Sequence, residues 1–79
     1  MEKYKDFDIG DVNYHPTNDF YVYIFFKKSN STKLNDIKYL ISYFGGTFIN
    51  KIGGLIMASN FETKEQAIYF RKTLIMEYG

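Results

Sequence analysis

Residues 20–28, FYVYIFFKK, form a run in which almost every side chain before the two lysines is aromatic or β-branched. Such residues favour the extended conformation, and an extended strand sends alternate side chains to opposite faces. Val22, Ile24 and Phe26 therefore share one face as core, and Tyr21, Tyr23 and Phe25 share the other. A chain with this strand must either cover both faces or leave one aromatic face open.

The chain is too short to cover both easily. Its 79 residues make one domain, residues 1–79, near the size at which a single core is marginally stable. There is no cysteine, which excludes a disulfide framework and thiolate zinc sites. Stability must come from the eight Phe and eight Tyr, each of which removes a large apolar area from water when buried.

The other elements follow from periodicity. YKDFDI, residues 4–9, alternates with period two and ends at Gly10-Asp11, which predicts a first strand. NYHPTND, residues 13–19, reads as a loop around Pro16. From residue 32 the period becomes helical, with Leu34, Ile37, Ile41 and Phe44 on one stripe and Leu40 beside it. Ser31 or Thr32 is the candidate N-cap and Gly45 the stop. Residues 47–52 and 55–61 read as strands joined by a two-residue turn at Gly53-Gly54. Thr63 and Gln66 stand at capping-box spacing before a last helix carrying Ala67, Phe70, Leu74 and Tyr78.

This pattern predicts an α+β fold of order ββαββα: an antiparallel four-stranded sheet with two helices on one face, ferredoxin-like in character. The usual ferredoxin-like chain ends on a strand beside its first one. Here the N-terminal strand, paired as a hairpin with residues 20–28, is expected to take that place.

Chemistry-bearing motifs are sparse. A phosphate loop needs its glycines between a strand and a helix N-terminus, whereas Gly45-Gly46 follows a helix and Gly53-Gly54 joins strands. Asp6, Asp8 and Asp11 lack the spacing and terminal Glu of a calcium loop, so they read as a solvated or edge-protecting face and no metal is expected. His15 is the only histidine and has no partner at catalytic spacing. No catalytic residue and no cofactor is predicted, and the chain is expected not to be an enzyme.

Two family resemblances add to this. YVYIFFKK, the helix ending YFGG and KIGGLIMASNFETKEQAIYF resemble the outline of an RNA recognition motif. Lys51, Ile52, Gly53, Gly54 and Leu55 stand where that family carries its base-stacking strand, both of whose aromatics are missing here, and Tyr23 stands where its other ring sits. The element order, with LISYFGGTFINKIGGLIMAS, more closely resembles a LAGLIDADG homing-endonuclease half-domain over about residues 20 to 70. That resemblance implies a sheet facing nucleic acid. The family's helix with its catalytic acid is absent, so it implies a non-catalytic relative.

An open aromatic face on a small domain marks an interaction site, here Tyr21, Tyr23 and Phe25. The formal net charge is only +1, with residues 1–19 at −3 and the remainder at +4, a weaker basic excess than nucleic-acid binders usually carry. A larger protein is therefore the favoured partner, since Tyr and Phe anchor such interfaces. Nucleic acid is the alternative, with Lys27, Lys28, Lys33 and Lys51 reaching phosphates. A homodimer closing two open faces is a third reading. No stretch approaches the roughly 18 apolar residues of a membrane span, and the first ten residues do not resemble a signal peptide. A soluble intracellular chain, in a host cytoplasm or organelle matrix, is expected. Phe, Tyr, Ile, Lys and Asn, all with AT-rich codons, make up 40 of the 79 residues. That bias suggests a phage, an organelle, or an AT-rich bacterium or archaeal virus as the origin, and a small AT-biased protein with such an aromatic face is expected to be a phage or mobile-element inhibitor of a host enzyme.

Overall fold

The computed structural model describes residues 1–27 and 31–79, the side chains of Ser31 and Thr32 excepted. The elements are β1 (Glu2–Lys3), β2 (Phe7–Ile9), β3 (Asn13–His15), β4 (Asp19–Phe26), α1 (Ser31–Tyr43), β5 (Thr47–Asn50), β6 (Leu55–Phe61) and α2 (Lys64–Tyr78). The class is α+β, with two helices on one antiparallel sheet. Its strands run β1-β2-β4-β6-β5, and β3 pairs with the start of β4.

Among the described residues six strands form where four were expected, and the order is ββββαββα instead of ββαββα. The N-terminal segment is interrupted twice. The Tyr4 amide donates to the Phe7 carbonyl (2.9 Å), closing a turn that folds β1 back on β2. Residues 10–12 then leave the ladder, although the Gly10 amide still donates to Tyr23 O (2.9 Å). The chain resumes as β3 on the same flank of β4, with Asn13 opposite Tyr21 and His15 opposite Asp19. The residues expected to be a loop thus include a strand, with only Pro16, Thr17 and Asn18 turning the chain. An isolated three-residue strand has no periodicity to betray it. The partner strand β4 supplies the order.

The lower hairpin also differs from expectation. Gly53-Gly54 is not a two-residue turn: residues Ile52–Gly54 form one 3-10 turn, and the Lys51 amide donates to Leu55 O (2.8 Å). Both glycines have positive φ, 72° and 83°.

Both helices pack on the face carrying Val22 and Ile24. Phe7, Ile9, Val22, Ile24, Ile56, Ala58 and Phe61 from the sheet meet Ile37 and Ile41 of α1 and Ala67, Phe70 and Leu74 of α2, all essentially buried. Phe61 stacks on Phe70 with ring centroids 5.4 Å apart. The helix ends are tied together. Thr63 Oγ1 accepts from the Gln66 amide (3.2 Å) and Gln66 Oε1 accepts from the Thr63 amide (2.9 Å), completing the capping box of α2. The same Gln66 donates through Nε2 to Phe44 O (3.2 Å), one of the carbonyls just beyond α1. Gly45, at φ 86°, reverses the chain there, and Gly46 lies so close to Phe61 that a Cβ would fall 2.6 Å from its ring. The N-cap expected at Ser31 or Thr32 lies outside the described side chains.

Candidate functional site

The period of two along β4 puts Tyr21, Tyr23 and Phe25 on the sheet face opposite the helices. The register extends that face sideways. Met57 stands across from Tyr23 and Leu55 across from Phe25, with Ile49 of β5 beyond Met57. On the other flank Asn13 stands opposite Tyr21 and Asp8 opposite Phe25. The N-terminal segment lies in the plane of the sheet as β1, β2 and β3, so it does not fold across these rings.

The face is partly sealed by its own side chains. Tyr21 and Tyr23 are half-buried and meet edge to face, with centroids 5.5 Å apart at 80°, the arrangement that ring quadrupoles favour. Phe25 is the more open of the three, 38% exposed. Met57 is buried with no helix above it. Ser59, on the same face of β6, is also buried, and its hydroxyl has no hydrogen-bond partner among the described residues. Buried Met57 and Ser59 and the half-buried Tyr21 and Tyr23 thus form a dry centre on this face.

The described lysines among those predicted to reach phosphates are spread apart. Lys27 Nζ lies 3.1 Å from Asp8 Oδ1 and donates to Tyr4 O at 2.6 Å, so its charge is neutralised beside Phe25. Lys33 is on α1, in the helix layer, and pairs with Asp6. Lys51 is exposed in the β5–β6 hairpin. Lys28 lies outside the described residues. Lys38, which sequence alone did not single out, sits over the Phe48 ring at 4.8 Å.

The three aspartates at the N-terminus separate as well. Asp6 pairs with Lys33, Asp8 with Lys27, and Asp11 lies 3.7 Å from Arg71. Among the described residues no group of three or more metal-ligating side chains comes together. His15 Nδ1 accepts from the Thr17 amide (3.1 Å), and the Asn18 amide donates to His15 O (2.9 Å). The imidazole thus helps close the β3–β4 turn.

Sequence reasoning passed over the outer side of α2. There a groove of about 430 Å³ runs between the helix and the β2–β3 connection. Its residues on α2 recur three or four apart from Lys64 to Met76, a second stripe beside the core stripe of Ala67, Phe70 and Leu74. Ile68 and Met76 in a surface stripe were the available signal.

No family model, curated protein or solved structure matches this chain. Among the described residues no helix is long and apolar enough to cross a membrane. What the fold and the face define is a small α+β protein with a one-sided sheet.

Proposed function

We propose that the chain is a non-enzymatic binding module that docks the face of Tyr21, Tyr23 and Phe25 on a larger protein. The observation that carries this reading is an aromatic centre whose neighbouring cation is already paired. Lys27 is held by Asp8 and Tyr4 O, and Lys33 is engaged by Asp6 in the other layer, which favours apolar docking over phosphate binding. Rigid rings presented on a sheet lose little conformational entropy on binding, which is why Tyr dominates interface hot spots.

The ferredoxin-like character of the layout, with the N-terminal strand beside β4, supports a scaffold whose helix-free face is available for recognition. The AT-coded composition supports a phage or mobile-element origin, and in that setting the role would be inhibition of a host enzyme. A LAGLIDADG-like relative would turn the same face to nucleic acid.

One experiment distinguishes these. The wild-type chain and Tyr21→Ser/Tyr23→Ser are used as bait in extract of the native source, and both protein and nucleic acid in the eluate are analysed. A retained protein, lost with the double variant at a cost of about 2 kcal/mol or more per ring, is the expected result. Circular dichroism must show the variant folded. Nucleic-acid binding whose logarithmic salt slope falls by about 0.7 to 0.9 per lysine removed would establish the rival reading. Full retention of the partner by the folded variant would place the site elsewhere.

A further inference from the structure

We infer that the groove along α2 is a binding site for an aliphatic chain ending in a carboxylate, independent of the sheet face. Val12, Ile68, Ile75 and Met76 give it an aliphatic lining, and Ile68 and Met76 remain 42% and 75% exposed. Lys64, Arg71 and Lys72 set three positive charges on its wall against the carboxylate of Asp11 in the lining and that of Glu2 beside Arg71. Its volume of about 430 Å³ falls within the range of ligand clefts, about 300–1,000 Å³. From Lys64 to Met76 the stripe runs roughly 18 Å at the helical rise, long and narrow like an extended acyl chain.

The chemistry of the wall selects this occupant. Among the lining residues there is no aromatic ring, so the groove offers no stacking platform for a sugar or a nucleobase, and its walls are aliphatic and cationic. Arg71 is held in place through Nε, which donates to Gly10 O at 2.8 Å. Its Nη2 stands 3.7 Å from Asp11 and 3.8 Å from Glu2, too far for hydrogen bonds to either carboxylate. Asp11 is 94% exposed, so water competes with Arg71 for its carboxylate. An incoming carboxylate can therefore close the charge-assisted bonds that Asp11 leaves open, while its chain covers Ile75 and Met76.

The test is a titration of the whole chain with dodecanoate, butyrate and dodecyltrimethylammonium, each below its micellar concentration, followed by amide chemical shifts. Dodecanoate should bind saturably and shift Ile68, Arg71, Ile75 and Met76, with Tyr21, Tyr23 and Phe25 unmoved. Butyrate should fail for lack of a chain, and the ammonium surfactant for lack of a negative head. Asp11→Asn should tighten dodecanoate by about fivefold, the effect of one unit charge near 4 Å in water. Lys72→Gln should weaken it by a similar factor. Asp11→Asn is the safeguard against misfolding, because it predicts a gain. Equal binding of the ammonium surfactant, or no change with Asp11→Asn, would overturn the assignment. So would binding of an acidic amphipathic peptide in the groove with none of dodecanoate. Because the sheet face is read separately, loss of this site leaves the docking proposal standing, and the converse also holds.

Discussion

The two faces of the sheet are built from the same strands and nearly the same residue types, yet they have different fates. On the helix side, Val22, Ile24, Ile56, Ala58 and Phe61 are sealed by α1 and α2. On the other side Met57 and Ser59 are buried, while Tyr21, Tyr23 and Phe25 on the neighbouring strand remain partly in water. The difference lies in what each ring can tolerate. Phe and aliphatic side chains fill the covered face, where any hydroxyl would need a buried partner. Two of the three rings on the open face are tyrosines, whose apolar body packs while the hydroxyl stays hydrated. An open face made this way is stable alone and still has ring area to give up to a partner.

The largest expected effect tests whether the faces really differ. Phe70→Ala removes a ring stacked on Phe61 within the covered layer and should cost about 3–5 kcal/mol. At about 0.05–0.15 kcal/mol per residue, a domain of this size holds roughly 4–12 kcal/mol, so this variant should lose a large share of its stability. Phe25→Ala removes the same side chain from the open face and should cost about 1 kcal/mol, because the ring is already partly hydrated. Urea midpoints of the two variants make the comparison. Equal losses would mean that the open face is a second core and not a docking surface.

The covered face was legible in the sequence because its signals are long. Period-two alternation over residues 20–26 gives β4, and helical stripes at Leu34, Ile37, Ile41 and at Ala67, Phe70, Leu74 give α1 and α2. Thr63 and Gln66 showed the cap through chemistry that acts within four residues. The short elements were not legible. β1 and β3 exist because β2 and β4 offer unpaired backbone groups, a tertiary fact absent from Glu2, Lys3 or Asn13 themselves. Alternation was enough to place Tyr21, Tyr23 and Phe25 together on one face. It could not show that Lys33 turns to Asp6, since a helical position reveals its partner only after the layers assemble.

A pair of glycines sharpens the comparison at the level of backbone against packing. Gly46→Ala puts a Cβ 2.6 Å from the Phe61 ring and 3.1 Å from Ile41 Cγ2, so the covered face must shift, at about 1–3 kcal/mol. Gly53→Ala meets nothing within 4 Å, but its φ of 72° penalises any Cβ by about 1 kcal/mol. Asparagine separates the causes. Gly53→Asn should recover part of the loss, because Asn tolerates the left-handed region, whereas Gly46→Asn should be worse than Gly46→Ala. Thermal unfolding of the four variants measures this, and recovery at Gly46 would show that the covered face is looser than its contacts imply.

The smallest expected effect lies at the far end of α2 and appears only in alkali. Tyr78 is half-buried against the core, and its phenol is held above the usual value of 10.0, first by desolvation and then by the negative charges of Asp36 and Glu77, with a hydrogen bond to Asp36 adding to the shift. The folded protein therefore binds this proton more tightly than the unfolded chain does. The stability it contributes is fully present below the unfolded pKa, about 10, and is lost as pH rises through the higher folded value. The wild-type curve alone does not isolate this one proton. The difference between wild type and Tyr78→Phe does, because Phe keeps the ring and removes the proton. Unfolding free energies of the two proteins should run parallel from neutral pH to about 9 and converge or cross as pH rises above about 10, with wild type losing more. Parallel curves throughout would mean that the Tyr78 phenol ionises as freely in the folded protein as in water, and that the end of α2 is as open to solvent as the sheet face.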